Sequence, residues 1–184
     1  WDALSATERS YRQIGELALA HNKEVWCLEA GWDAQQWQKT DPWASWENGL
    51  KTAMAYVRTL DLTRASLMDY WTYQDNYPLV DKNGPKPYPV FHVVRQMQDV
   101  LVPGSKVATT SVSAESCMVL ATVGPKKGQW GVLAVNPVGE GTAEFSGLPP
   151  GSKATVWHSI HGSPRIKGPT LFIDRAGRAK AYLP

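Results

Sequence analysis

The chain has 184 residues, 43% of them hydrophobic, which is room for one large domain or two small ones and a composition that excludes a disordered or fibrous chain. No apolar run approaches the length of a bilayer span, and the basic residues form no stripe or motif of a nucleic-acid binder, so neither a membrane span nor nucleic acid is expected. The formal net charge of +2 is unevenly divided, with 10 Lys/Arg against 13 Asp/Glu in residues 1–102 and 9 against 4 in 103–184, a swing that marks two units with different surfaces.

Ser5-Ala6-Thr7-Glu8 reads as a capping box, and Tyr11, Ile14, Leu17, Ala18 and His21 recur at helical spacing behind it. A helix is predicted near 6–21. Val25-Trp26-Cys27-Leu28 follows as a continuous apolar run without alternation, the pattern of a parallel strand covered on both faces. After a polar loop, Asp41-Pro42 supplies a cap and a first-turn proline for a second helix, whose apolar face runs from Trp43 to Leu60. A second buried strand is expected at 65–71. Pro89 then opens a third helix that Pro103-Gly104 stops. Helix, strand, helix, strand, helix is the alternation of a parallel α/β fold. Two strands cannot close a (β/α)8 barrel, which takes about 250 residues, so a missing N-terminal barrel segment is expected as partner, in the same protein or a separate chain.

From residue 105 the grammar changes. Short β-rich segments near 106–113, 117–123, 129–135, 141–146, 153–158, 169–173 and 178–183 alternate with turns such as Pro149-Pro150-Gly151, which predicts an antiparallel β-sandwich over 103–184. Its core is expected to include Val119, Leu133, Val135, Phe145, Val156 and Phe172.

Glu29 stands directly after the first apolar strand, and the C-terminal end of a barrel strand carries chemistry while the opposite end serves stability. The alternative is a carboxylate that marks where the strand reaches water. Trp71 closes the second strand, with Tyr73, Asp75 and Asn76 just beyond it. Neighbouring strands bring their ends together, and a carboxylate beside an aromatic platform is the composition of a sugar subsite. Seven of the nine Trp residues lie within the first 71 positions, and the flat amphipathic indole suits the apolar face of a sugar. Cys27 and Cys117 each sit in an apolar run and read as small hydrophobes. His158 and His161, in what reads as a loop, form a polar turn, and no metal or cofactor is expected.

Val25-Trp26-Cys27-Leu28-Glu29-Ala30-Gly31-Trp32 resembles strand seven of the clan A glycoside hydrolases, and Asp69-Tyr70-Trp71-Thr72-Tyr73 resembles strand eight. Lys86-Pro87-Tyr88-Pro89-Val90-Phe91 through Pro103-Gly104-Ser105 is similar to the last barrel helix and its exit into a β-sandwich. The layout is similar to families that include xylosidases, iduronidases and glucuronidases. The resemblance implies that residues 1–102 are the C-terminal part of a (β/α)8 (TIM) catalytic barrel, with residues 103–184 as the β-sandwich. It implies a carbohydrate substrate, Glu29 as nucleophile of a retaining glycosidase, Trp71 beneath the sugar, and Trp32 and Tyr73 as further contacts. The clan's acid/base Glu follows an Asn, and no Asn-Glu pair occurs here, so the chain supplies one of two catalytic carboxylates. A non-catalytic carbohydrate-binding module and a structural module are the alternative readings.

Overall fold

The computed structural model describes residues 3–33, 35–39, 42–114 and 116–184, with the backbone alone at Trp37. Asp41, the expected cap of the second helix, lies outside the described residues.

Helix α1 (Glu8–Ala20) begins two residues later than the capping box suggests. Thr7 is the N-cap, and its hydroxyl accepts the Ser10 amide at 3.3 Å. Strand β1 (Trp26–Ala30) follows. Short 3-10 turns at Gln36–Gln38 and Pro42–Ala44 then lead to α2 (Trp46–Thr63). Pro42 therefore opens a tight turn. The helix itself starts at Ser45, whose hydroxyl takes the Asn48 amide and so satisfies one of its orphan donors. Strand β2 (Leu67–Tyr70) runs parallel to β1, with Trp26 opposite Leu67 and Cys27 opposite Met68. Helix α3 (Pro89–Gln98) carries its proline in the first turn, as expected.

Seven strands complete the described chain, arranged in three antiparallel sheets. β3 (Lys106–Ala108), β4 (Met118–Val123) and β5 (Trp130–Val135) form one sheet. β6 (Gly141–Phe145) pairs with β9 (Ala179–Leu183), and β7 (Lys153–Ile160) with β8 (Ser163–Phe172). The β7–β8 hairpin is longer than its sequence suggests. His158 lies on β7, not in a loop, and Gly162 takes φ +76° in the tight turn. Pro164, Gly168 and Pro169 hide the first part of β8, so that the sequence reading gives only its end, near 169–173, because such residues are tolerated only at edges and irregular positions.

One hydrophobic cluster spans both halves of the chain: Ala53, Tyr56, Val57 and Leu60 of α2, Val93 and Met97 of α3, and Leu120, Leu133 and Val135 of the first antiparallel sheet. Val25, Cys27, Met68 and Tyr70 pack against it from the parallel pair. Alternation in β4 favours Leu120, fully buried opposite Leu133, and leaves Val119 half-buried. Phe172, expected in the core, is 65% exposed; it lies at the end of β8 with the Lys153 ammonium 5.1 Å over its ring. The halves are also joined by polar contacts. The Gln96 side chain donates to the Trp157 carbonyl at 2.9 Å, Thr122 donates to the Val100 carbonyl at 2.9 Å, and Arg165 bridges Asp99 at 3.0 Å while stacking on Trp157.

Two expectations about burial are corrected. On α1 the residue against α2 is Gly15, whereas Ile14 and Leu17 are exposed. A Cβ at Gly15 would stand 2.9 Å from the Thr63 carbonyl oxygen, so the helices meet backbone to backbone and larger residues turn aside. The parallel pair is covered by helices on one face only among the described residues, and Trp26 and Leu28 on its other face are largely exposed.

Gly15→Ala should therefore destabilise the protein by roughly 1–3 kcal/mol despite alanine's better helix propensity, because the contact is with backbone that cannot yield. Leu120→Ala should cost about 2–5 kcal/mol through the cavity it opens. Both losses are read from urea midpoints, and a Gly15→Ala protein as stable as the parent would refute the close approach.

Candidate active site

The site is built at the C-terminal ends of β1 and β2. Their register shifts by one residue between Cys27 and Ala30, because Ala30 pairs with Tyr70 only two positions after Cys27 pairs with Met68. Simple alternation from Val25 and Cys27 would send Glu29 towards the helices. The extra residue gives that place to Ala30, which is 3% exposed, and Glu29 is left at the solvent-facing strand end. Bulges at strand ends re-aim side chains in this way.

Trp71 follows directly on β2, and its amide donates to the Ala30 carbonyl at 3.5 Å, a long contact that sets it beside the residue next to Glu29. The Trp71 side chain is 44% exposed, and the Trp71–Thr72 peptide is cis. The structure thus brings the Glu29 and Trp71 positions to one rim. Trp32 is half-buried on the loop after β1, with the Lys39 ammonium 5.4 Å over its ring. Tyr73 lies on the loop after β2 with its side chain exposed, and its carbonyl takes the amides of Leu79 and Val80. Among the described residues no hydrogen bond or ring contact joins Trp32 or Tyr73 to Glu29 or to Trp71.

The two loops are tied together by residues that the sequence pattern did not single out. The Tyr77 hydroxyl donates to Asp33, four positions beyond Glu29, and the Tyr77 ring meets Trp43 edge-on with centroids 4.6 Å apart. Trp43, expected on a helix face, instead belongs to the 3-10 turn before Ser45. Tyr77 carried no sequence signal, since an aromatic in a loop rich in Asp, Asn and Pro has no periodicity to betray it.

Behind the strands the environment is apolar. Burial pushes the Cys27 thiol above its ordinary range, and it does the same to the phenols of Tyr56 and Tyr70. All three stay protonated and uncharged at neutral pH, so Cys27 has little thiolate with which to compete as a nucleophile. Both cysteines are free. Among the described residues no group of three or more His, Cys, Asp or Glu is placed to hold a metal ion, and no helix is long and apolar enough to cross a membrane.

No protein-family model matches the chain, and no curated protein does. Solved structures do match. The chain superposes on a GH30 endoxylanase from Clostridium papyrosolvens C71 with a TM-score of 0.77 and 17% identity, over 95% of its own length and 43% of that protein's. A glycoside hydrolase family 30 subfamily 8 xylanase from Clostridium acetobutylicum gives a TM-score of 0.77 at 17% identity, over 92% and 42% of the two chains. The catalytic domain of a GH30 xylanase from Talaromyces cellulolyticus gives 0.67 at 18%, over 88% and 39%. At such identities the likeness is one of fold, and the chain spans less than half the length of each of these structures. The chain therefore has the mixed α/β and β fold of one part of the GH30 xylanases, which are clan A glycoside hydrolases.

Proposed function

We propose that this chain is the C-terminal part of a retaining glycoside hydrolase that cleaves O-glycosidic bonds. Residues 1–102 contribute the last two βα units, strands seven and eight, of a (β/α)8 barrel, and residues 103–184 form the β-sandwich that braces it. The observation that carries this reading is Glu29, turned outward by a register shift at the end of one parallel strand, beside the Trp71 that ends its neighbour. A carboxylate and an aromatic platform on adjacent strand ends suit a sugar whose anomeric carbon faces the carboxylate.

In this mechanism Glu29 attacks the anomeric carbon and forms a covalent glycosyl intermediate, while a second carboxylic acid protonates the departing oxygen. The two carboxyl groups must stand about 5–5.5 Å apart for retention. The second comes from the remaining barrel strands. Trp71 forms the floor beneath the reacting sugar, and Trp32 and Tyr73 make further contacts.

The exposed apolar side chains support the need for that remaining segment. Ile14 and Leu17 on α1, and Trp26 and Leu28 on β1, are all 47% exposed or more. Full burial of each such side chain is worth roughly 1.5–3 kcal/mol, so a set of this size has a substantial drive to be covered. Six further strands and their helices would cover the open edge of β1 and the face that carries Trp26. When the chain is assembled with that segment, the Trp26 indole should move to shorter emission wavelength and be shielded from acrylamide. An indole as quenchable in the assembly as in the free chain would sink this arrangement.

In the assembled enzyme, Glu29→Gln keeps the shape of the side chain and removes its charge. Turnover should fall by several orders of magnitude while sugar binding stays within a few-fold, far beyond the ~1 kcal/mol effect of a typical substitution. A mechanism-based fluoro-sugar should label Glu29 and no other carboxylate of this chain, as read by peptide mass. Near-normal hydrolysis by the Gln variant, or a label elsewhere, would remove Glu29 from the mechanism and favour a carbohydrate-binding module.

A further inference from the structure

Cys27, Ala30, Met68 and Tyr70 face the apolar cluster behind the parallel strands, and the Tyr70 hydroxyl is the only side-chain oxygen among them. Opposite it, α2 offers polar residues. Asn48 and Thr52 are 1% and 0% exposed, and with Tyr56 they follow one another at four-residue spacing along one face of the helix. The Asn48 side chain stands at the Tyr70 hydroxyl, and the Tyr56 phenol is near enough that a charge on Tyr70 or Cys27 disfavours its own. This face of α2 is therefore the one turned to the strands. Gly49, next to Asn48, turns to α3 instead, where a Cβ would stand 3.3 Å from Val93.

The polar face is incompletely satisfied. The Asn48 Nδ2 and the Thr52 Oγ1 are buried with no partner in ordinary hydrogen-bond geometry among the described residues, so the Asn48–Tyr70 contact is a long one. A buried polar group without a good bond costs stability, and leucine and valine would fill these two positions without that cost. What a polar contact supplies and an apolar one does not is direction. Asn48 is well placed to supply it, because its amide donates to the Ser45 hydroxyl at 3.2 Å and fixes its backbone in the first turn of α2. Tyr70 is equally well placed to pass it on. Its partner across the strands is Ala30, the residue after Glu29, and Trp71 follows it directly with its amide on the Ala30 carbonyl. A shift of Tyr70 therefore carries both sides of the rim with it.

We infer that Asn48 is a positioning residue for the Glu29–Trp71 rim, acting through the Tyr70 hydroxyl, which it holds at one depth against α2. Both side chains lie behind the strands, on the face away from the rim, so the pair sets where the reacting groups stand without touching the sugar. Reacting groups tolerate little displacement, since a misplacement of ~1 Å is enough to cost about a hundredfold in rate. A polar contact that weakens the core and steadies the rim is thus a trade of stability for activity. The effect on a reaction rests on the glycosidase reading, and the experiment separates the two.

Asn48→Leu, Tyr70→Phe and the double variant are compared in two settings. In the 184-residue protein, the urea midpoint of each should equal or exceed the parent's. The Trp71 indole N–H resonance should shift, while that of Trp130 on β5 stays in place. In the assembled enzyme, each single variant should lose about tenfold or more in kcat with KM within roughly twofold, because the rim is displaced and the binding surface is kept. The double variant should lose no more than the larger single loss, since both act through one contact. Tyr70→Phe removes a single oxygen, so it gives the answer even if Asn48→Leu does not fold. Unchanged kcat in these variants, with Glu29→Gln inactive, would overturn the positioning role and leave the hydrolase reading standing. A lowered urea midpoint with kcat unchanged would overturn it likewise and give the pair an ordinary part in the core. Losses that add in the double variant would overturn action through one contact. A moved Trp71 resonance in both single variants, with Glu29→Gln still active, would keep the positioning of the rim and remove the hydrolase reading.

Discussion

The two halves of the described chain meet on one helix. Eleven of the 18 residues of α2 are buried, far more than the single stripe of a surface helix, because α1, α3, the parallel strands and the β3–β5 sheet all lean on it. A helix enclosed in this way must present small or smooth surfaces in several directions. Gly49 lets α3 approach, since a Cβ there would stand 3.3 Å from Val93, while Thr52, Ala53, Ala55 and Thr59 keep the other flanks narrow. Its buried polar residues are partly satisfied within the helix, as where the Thr63 hydroxyl donates to the Thr59 carbonyl at 2.8 Å. The ends of both parallel strands are thereby referred to the same axis.

That common reference is what makes the candidate site possible. Glu29 and Trp71 belong to strands far apart in sequence, and their neighbours Cys27, Met68 and Tyr70 are held from behind by the cluster that α2 organises. The loops in front are held differently, by the Asp33–Tyr77–Trp43 chain of contacts. The distal sheets join through α3, where Gln96 and Asp99 meet the β7–β8 hairpin. A partly exposed ion pair is worth little alone, but here its arginine also stacks on Trp157, and cation–π contact adds about 0.5–1 kcal/mol at exposed sites.

The alternation of helices and strands was legible because apolar periodicity and caps are local, and so were the strand ends that carry Glu29 and Trp71. The seven later strands were legible from their turns, apart from the first part of β8, which its prolines disguise. What could not be read depends on neighbours distant in sequence. Ile14 and Leu17 recur at helical spacing, yet Gly15 makes the contact, because the distance between two helix axes is not written on either helix. Phe172 alternates like a core residue, and only the placement of the hairpin leaves it outside. Trp43 fits a helical face in projection, and only the competing Ser45 cap leaves it in a 3-10 turn against Tyr77. The register shift before Ala30 adds one residue to β1 without altering the apolar run that announces the strand.

That register shift sets different tolerances for the ways in which this segment can change. Substitution at Leu28 alters a side chain and leaves the phase of the strand intact, so drift in composition there is compatible with the same geometry. Loss of Leu28 would remove the bulge and leave regular alternation, with Cys27 and Ala30 still turned inward and Glu29 still outward but now directly opposite Asp69. The face to which Glu29 turns thus survives a shortened segment, whereas its position along the strand, and its distance from the neighbouring carboxylate of Asp69, does not.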